Sequence, residues 1–413
     1  MSVSLTRRQM LVGGLGAAGV LAAGGLSRTL GGEPAPSQPL IPDRSQNAPT
    51  SPVAIQRCES YEPKVVREQL DAALKLIGGL GDLVRGKTVT IKVNLTGSTA
   101  PACGMPAIRT YHTHPAVVAA LCAALADGGA KQIYVVESFY FRDPCEQALN
   151  AAGWECDAIK SAGDHRVAFE NTRNRGPWPE YSRLKVPWGG FVYPSFDVNA
   201  RYEKTDVFIS VAKLKDHGSA GVTAAVKNLF GVPPQSLYGG QAPDENSLEA
   251  RVDQFHFGKK RDVPGLPEQV CGPLPEGEPA WKFRVPRITS DILGARPVDL
   301  AIVEAVETTI GGEGPWMKIR PTAPKLMFAG RNAVCTDAVC AAVMGYDPQA
   351  DHMQFPFPGE NHLKLLAMAG VGTNDLKRIA VKGLSVDQAR HPFRSPTEKF
   401  AAGRSPYYGV HLA

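Results

Sequence analysis

The chain has 413 residues, a formal charge of +5, 43% hydrophobic and 21% charged side chains. It can bury a sizeable core and is too weakly basic to be built around a polyanion; with no basic tract or RNA-module signature, nucleic acid is not an expected partner. The 34 prolines and 42 glycines predict long ordered loops, and the length fits one large α/β domain with insertions or two to three smaller units.

Thr6-Arg7-Arg8-Gln9-Met10-Leu11 looks like a twin-arginine export motif, with Met10 where Phe is usual. The stretch that follows, Met10 to Leu26, is rich in glycine and alanine and only weakly hydrophobic. Residues 1–31 are therefore read as a signal segment, which predicts a periplasmic protein whose first partner is the twin-arginine export machinery. No clean small-x-small cleavage site stands out near Ala22-Ala23 or Gly31-Gly32. Cleavage, and retention as a signal anchor touching the membrane, both stay open. Residues 32–52, rich in Pro, Ser, Asn and Gln, read as a disordered linker.

The eight cysteines stand at 58, 103, 122, 145, 156, 271, 335 and 340. None forms C-x-x-C or a ferredoxin-type ladder, so no iron–sulfur cluster is expected within this chain.

From 53 to 390 the pattern is that of an α/β unit, with a possible lobe boundary near 200. Pro63 to Leu76 has helical spacing at Val66, Leu70, Ala73, Leu74 and Ile77. Residues 88–94 read as a strand, with Lys92 and Asn94 on the face opposite Val89, Ile91 and Val93. His114 precedes a helix from Pro115 to Asp127 with proline at its first position. Residues 132–136 are the next strand, ending at Glu137-Ser138. Strand, helix, strand in this order is a parallel crossover. Phe141 to Ala152 reads as helix, 156–160 as strand, and 165–200 as irregular.

The richest stretch runs from Asp206 to Pro234. An apolar, β-branched run at 207–211 is a buried strand. A turn follows with Lys213, Lys215, Asp216, His217 and Gly218. A helix is predicted over Val222 to Phe230, carrying Lys227 and Asn228, with Thr223 four residues before Lys227 on the same face. A strand's carboxyl end feeding a turn and a helix N-terminus is where open α/β sheets bind ligands. Beyond it, 235–292 is a long excursion, read as a lid, a partner surface or a disordered loop. Strands follow at 298–303 and 326–329, separated by the Gly-rich turn Gly311 to Trp316. Helices at 332–344 and 362–369 and a last strand at 378–381 complete the unit, and residues 391–413 form an irregular tail. The fold class expected is α/β, with mostly parallel sheets and flanking helices, as one large domain or two similar lobes.

These pieces together resemble the domain-of-unknown-function family numbered three-six-two. The resemblance rests on Lys92-Val93-Asn94, His114-Pro115, Gly129-Ala130 with Glu137-Ser138, and Lys213-Leu214-Lys215-Asp216-His217 with Lys227 to Gly231. It continues through Glu313-Gly314-Pro315 and Asp337-Ala338 with Met344-Gly345, covering about 86 to 383. At Glu313 the glycine spacing before the proline is compressed. The resemblance implies an α/β fold and a site, with no settled reaction. The iron–sulfur role of some members does not transfer, because the cluster-binding cysteine pattern is absent here.

The strand ends predict one cleft lined by Lys92, Asn94, His114, Glu137, Lys213, Lys215, His217, Lys227 and Asn228. Lysines there would hold a carboxylate or phosphate. His217, Glu137 and Lys213 are the candidate catalytic residues: His217 (or His114) moves a proton, and Glu137 orients it or acts as base. Lys92, Asn94, His114, Lys215, Lys227 and Asn228 are the candidate ligand-binding residues. A metal version would use His112, His114 and His217 with Asp or Glu partners. Which metal or cofactor is involved stays open, and two functions remain: an exported proton-transfer or isomerase-type enzyme for an anionic small molecule, or a non-catalytic exported binding or cofactor-maturation protein.

Overall fold

Eight segments rich in β-branched and aromatic residues pair into one sheet: β1 Val53–Arg57, β2 Thr88–Lys92, β3 Gln132–Glu137, β4 Val167–Asn171, β5 Val207–Lys213, β6 Leu300–Ala305, β7 Leu326–Gly330 and β8 Val381–Gly383. Their spatial order is β8-β1-β7-β6-β5-β2-β3-β4. Five of the seven neighbouring pairs are parallel, and only β7 runs antiparallel to its neighbours β1 and β6. The structure is a computed structural model that describes residues 4–5, 41–97, 99–174, 180–241, 244–259 and 263–393. The expected signal, including Arg7-Arg8, lies outside the described residues apart from 4–5, as does the tail beyond 393.

Strand β5 sits inside the sheet between β6 and β2, and all seven of its residues are buried. That is the environment a continuous apolar run requires, since both faces of a parallel sheet are covered. On one face Val207, Ile209 and Val211 join Val89, Ile91, Ile133 and Val135 beneath the helices Pro63–Leu76 and Pro115–Asp127. On the other, Phe208 and Ala212 join Val303, Phe328, Val339 and Ile288 beneath Ala333–Val343 and Trp281–Ala295. Each such fully buried aliphatic side chain contributes about 1.5–3 kcal/mol of transfer free energy. One sheet spans the chain from 53 to 383, so of the two architectures the sequence left open this is the single domain. Residue 200 opens a short 3-10 turn, Ala200–Tyr202, that leads into β5.

Several elements differ from the sequence reading. Residues 156–160 lie in a helix, Cys156–Ala162, and the strand expected there is β4. The stretch 165–200 also carries the hairpin Tyr181–Lys185 and Ser195–Asn199. The helix expected over 222–230 is shorter: Gly221–Thr223 pairs with Lys215–His217 as a small hairpin, and the helix covers only Ala225–Asn228. Thr223 and Lys227 therefore do not share a helix face. The excursion 235–292 carries a π-helical turn, Val252–His256, and most of the fifteen-residue helix Trp281–Ala295, which runs on past 292. The last strand begins at Val381, where 378–381 was expected. Residues 41–52, assigned to the linker, lie against the domain: Arg44 N–H donates to Met368 O, and Ala48 is buried. Among the described residues, no helix is long and apolar enough to cross a membrane.

Candidate functional site

The carboxyl ends of β2, β3 and β5 open onto a cavity of about 460 Å³. Lys92, Asn94, Glu137, Lys215, His217, Lys227 and Asn228 line it, so seven of the nine residues chosen from the sequence are brought together. Thr223, Phe230, Arg251, His256, Glu313 and Trp316 complete much of the wall.

Lys92 and Glu137 end neighbouring parallel strands and form a buried ion pair at 2.7 Å. The Glu137 carboxylate also accepts from Leu95 N–H (3.1 Å) and Ser138 N–H (2.9 Å). Burial lowers the Lys92 pKa, and Glu137 opposes that shift. Asn228 locks the pair from the next helix: its Oδ1 accepts from Lys92 Nζ at 3.2 Å, and its Nδ2 donates to Lys92 O and Ser210 Oγ. Gly231 passes close above; a Cβ there would lie 2.8 Å from Glu137 Oε1 and 2.9 Å from Lys92 Nζ. Glycine at the end of Lys227-Asn228-Leu229-Phe230-Gly231 is thus explained by close approach.

Lys215 is fully buried and donates to Asn94 Oδ1 at 2.8 Å and to Tyr111 O, both neutral acceptors. Burial, reinforced by Lys213 and Lys227, pushes its pKa well down, against Glu313 and Glu304. Lys227 is 6% exposed, and its amine makes no hydrogen bond or ion pair with any described residue. It lies 3.7 Å from the centroid of the Phe230 ring. Burial, with Arg251 and Lys92 adding repulsion and Glu313 opposing, lowers its pKa to about 7. Arg251 donates to Pro233 O and Gly231 O.

His217 Nδ1 accepts from Ser219 N–H at 3.1 Å and Ala220 N–H at 3.3 Å, within its own hairpin turn. The neutral ring therefore carries its proton on Nε2. Burial, followed by Lys227, His256, Lys215 and His362, holds its pKa well below the usual value. Near neutral pH this is a neutral hydrogen-bond donor. Burial likewise lowers His256 to about 3. Glu313 accepts from Gly218 N–H at 2.9 Å and from Trp316 Nε1 at 3.0 Å. Trp316 lies across Gly97, where a Cβ would stand 2.4 Å from the ring. The Thr223 hydroxyl is buried with no hydrogen-bond partner among the described residues.

Lys213 and His114 are placed elsewhere. The register pairs Lys92 with Ser210, so Ser210 and Ala212 share the Lys92 face and Lys213 takes the opposite one. There Lys213 Nζ meets Glu304 Oε1 at 2.6 Å, Tyr61 Oη at 2.8 Å and Glu307 O at 2.9 Å. His114 stacks on Tyr61 with ring centroids 3.5 Å apart, and its Nδ1 caps the following helix through Ala116 N–H. His112 is buried with Nε2 at 2.9 Å from Thr96 O. The three histidines of the metal version are thus turned to separate partners. No group of three or more His, Cys, Asp or Glu among the described residues is placed to hold a metal ion.

The sequence reading missed Arg251 and His256, which come from the excursion around the π-helical turn. It noted Glu313 and Trp316 only as parts of a turn. In the cavity, four basic side chains (Lys92, Lys215, Lys227 and Arg251) face two acidic ones, Glu137 and Glu313. Such an arrangement favours an anion, and the aromatic wall suits an apolar body attached to it.

The chain is 28% identical over 218 residues to a thylakoid-associated protein of Synechocystis sp., a stretch covering 50% of this chain and 57% of that protein. A crystal structure of a Thermotoga maritima protein aligns with a TM-score of 0.35 and 15% identity, over 65% of this chain and 55% of that one. Residues 89–342, which run from β2 to the helix Ala333–Val343, match the family described as Domain of unknown function (DUF362), and the chain belongs to that family.

Proposed function

We propose that the protein binds a small molecule carrying a carboxylate or phosphate in this cavity and transfers a proton on it. The observation that carries this reading is Lys227, a buried amine lining the cavity with no hydrogen-bond or ion-pair partner among the described residues. Beside it, Lys215 is held by neutral acceptors only. An incoming anion would supply the counter-charge both amines lack. A pKa near 7 suits a group that must lose and regain a proton at neutral pH. His217 offers a neutral N–H, and Glu137 acts through Lys92 by fixing its position.

The test is calorimetry with a panel of carboxylates and phosphates, on the wild type and on Lys227→Met. The reading expects saturable binding of at least one member, weakened at least tenfold in the variant, and deuterium exchange from solvent into the bound molecule. Binding without exchange would instead support a carrier or cofactor-maturation protein. Absence of binding across the panel would sink both.

We also propose export to the periplasm by the twin-arginine route, supported by Arg7-Arg8 ahead of a weakly apolar stretch. Unchanged export after Arg7→Lys with Arg8→Lys, read by cell fractionation, would refute it.

A further inference from the structure

We infer that Lys227 is a nucleophile whose amine condenses with the carbonyl of a 2-oxo carboxylate held in the cavity, forming an imine. This rests on the anion-binding reading above and adds a ligand class and a covalent step to it.

Five lysines are buried among the described residues: Lys92, Lys213, Lys215, Lys227 and Lys282. Oxygen acceptors hold four of them: Glu137 for Lys92, Glu304 for Lys213, Asn94 and Tyr111 O for Lys215, and Glu278 for Lys282. Lys227 alone of the five has no oxygen acceptor among the described residues, and its amine lies 3.7 Å from the centroid of the Phe230 ring. A lysine held by a carboxylate keeps its proton and has no lone pair to offer. An amine in an apolar setting beside other cations gives the proton up readily, which activates it for attack on a carbonyl. Burial and the neighbouring Arg251 and Lys92 act in that direction here.

The rest of the wall suits a carbonyl flanked by an anion. Lys215 and Arg251 can receive the carboxylate. The unpartnered Thr223 hydroxyl and the neutral His217 N–H are hydrogen-bonding groups for the oxygen of the adduct. Leu95, Phe230, Trp316 and Met317 give an apolar lining. Excluding water from that lining favours dehydration of the adduct.

The chemistry balances without a redox partner. The amine lone pair attacks the carbonyl carbon, a C–N bond forms, and a proton passes from nitrogen to oxygen. The C–O bond then breaks, its oxygen leaves as water with a second proton, and the C=N bond forms.

The test uses the full chain at neutral pH with pyruvate or phenylpyruvate and cyanoborohydride, which delivers hydride to an imine and makes the adduct permanent. Intact-mass measurement and peptide mapping should find one adduct, on Lys227, while exposed lysines stay largely unmodified. Excess inorganic phosphate should slow the reaction, and Lys227→Arg, checked for folding by circular dichroism, should abolish it. Mapping on the wild type decides the matter even if that variant fails to fold. If calorimetry shows pyruvate or phenylpyruvate binding but Lys227 is modified no faster than exposed lysines, the imine inference is overturned and the anion reading stands. If neither these probes nor phosphate binds, both are overturned.

Discussion

Lys213 Nζ lies 2.6 Å from Glu304 Oε1, at paired positions on the neighbouring parallel strands β5 and β6, and neither side chain is exposed to solvent. The pair sits behind the cavity, on the sheet face opposite Lys92. Lys213→Met leaves Glu304 buried without its counter-charge. That should destabilise the protein by about 3–5 kcal/mol in urea unfolding, while the folded fraction keeps its anion affinity within about threefold of wild type. An affinity loss as large as that of Lys227→Met would return Lys213 to the site.

Lys227→Met should behave in the opposite way. It removes a buried amine that no oxygen holds, so unfolding free energy should stay level or rise by roughly 0.5–2 kcal/mol. Anion binding should fall at least tenfold. A variant that binds normally would show that the Lys227 amine takes no part in holding the anion.

Binding should weaken as pH rises through neutrality. The free protein holds Lys227 near 7, with Arg251, Lys92, Lys215, His217, His256, His362 and Glu313 as the charged or titratable groups around it. An anion favours the protonated amine, so above about pH 7 binding must take up a proton. Affinity for inorganic phosphate should then drop up to tenfold per pH unit, once phosphate's own ionisation is accounted for. Calorimetry in buffers of different ionisation enthalpy would read the proton directly, and a proton count of zero at pH 8 would contradict this coupling.

Acid should destabilise the protein through its buried histidines. Burial lowers His112, His114, His256 and His362 to about 3, and His217 lies well below its ordinary value. Unfolded histidines titrate near 6.5, so below that pH the unfolded chain binds more protons. Each histidine then removes roughly 1.4 kcal/mol per pH unit until its folded pKa is reached. Burial raises Asp291 and Asp337 to about 7; these bind protons in the folded state and offset part of the loss. Burial also lowers His391 and raises Asp197. With six histidines against three carboxyls, Tm should fall between pH 7 and pH 5, and a flat or rising Tm would contradict this.

The fold was legible wherever one physical signal dominated. The apolar run at 207–211, the 3.6-residue spacing of Pro63–Leu76 and the proline opening Pro115–Asp127 each point to one element. Strand alternation also placed Lys92 correctly, opposite Val89 and Ile91. Lys213 was placed in the cleft because sequence does not contain register. Only the pairing of Lys92 with Ser210 reveals that Lys213 stands one residue out of phase. Thr223 and Lys227 were spaced for a helix, but the hairpin of Gly221–Thr223 with Lys215–His217 took Val222 and Thr223, the first two residues of that helix. Arg251 and His256 were not legible, since a π-helical turn inside a Pro- and Gly-rich excursion has no periodicity that announces it.

We propose that Lys215, Lys227 and Arg251 make the cavity an anion site. Anomalous diffraction from crystals soaked in tungstate, a tetrahedral oxyanion, tests it most directly. An anomalous peak is expected in the cavity, with an oxygen about 3 Å from Lys227 Nζ, and its loss is expected in Lys227→Met crystals. Tungstate bound only at surface sites, with the cavity of the wild type empty of it, would rule out an anion site there.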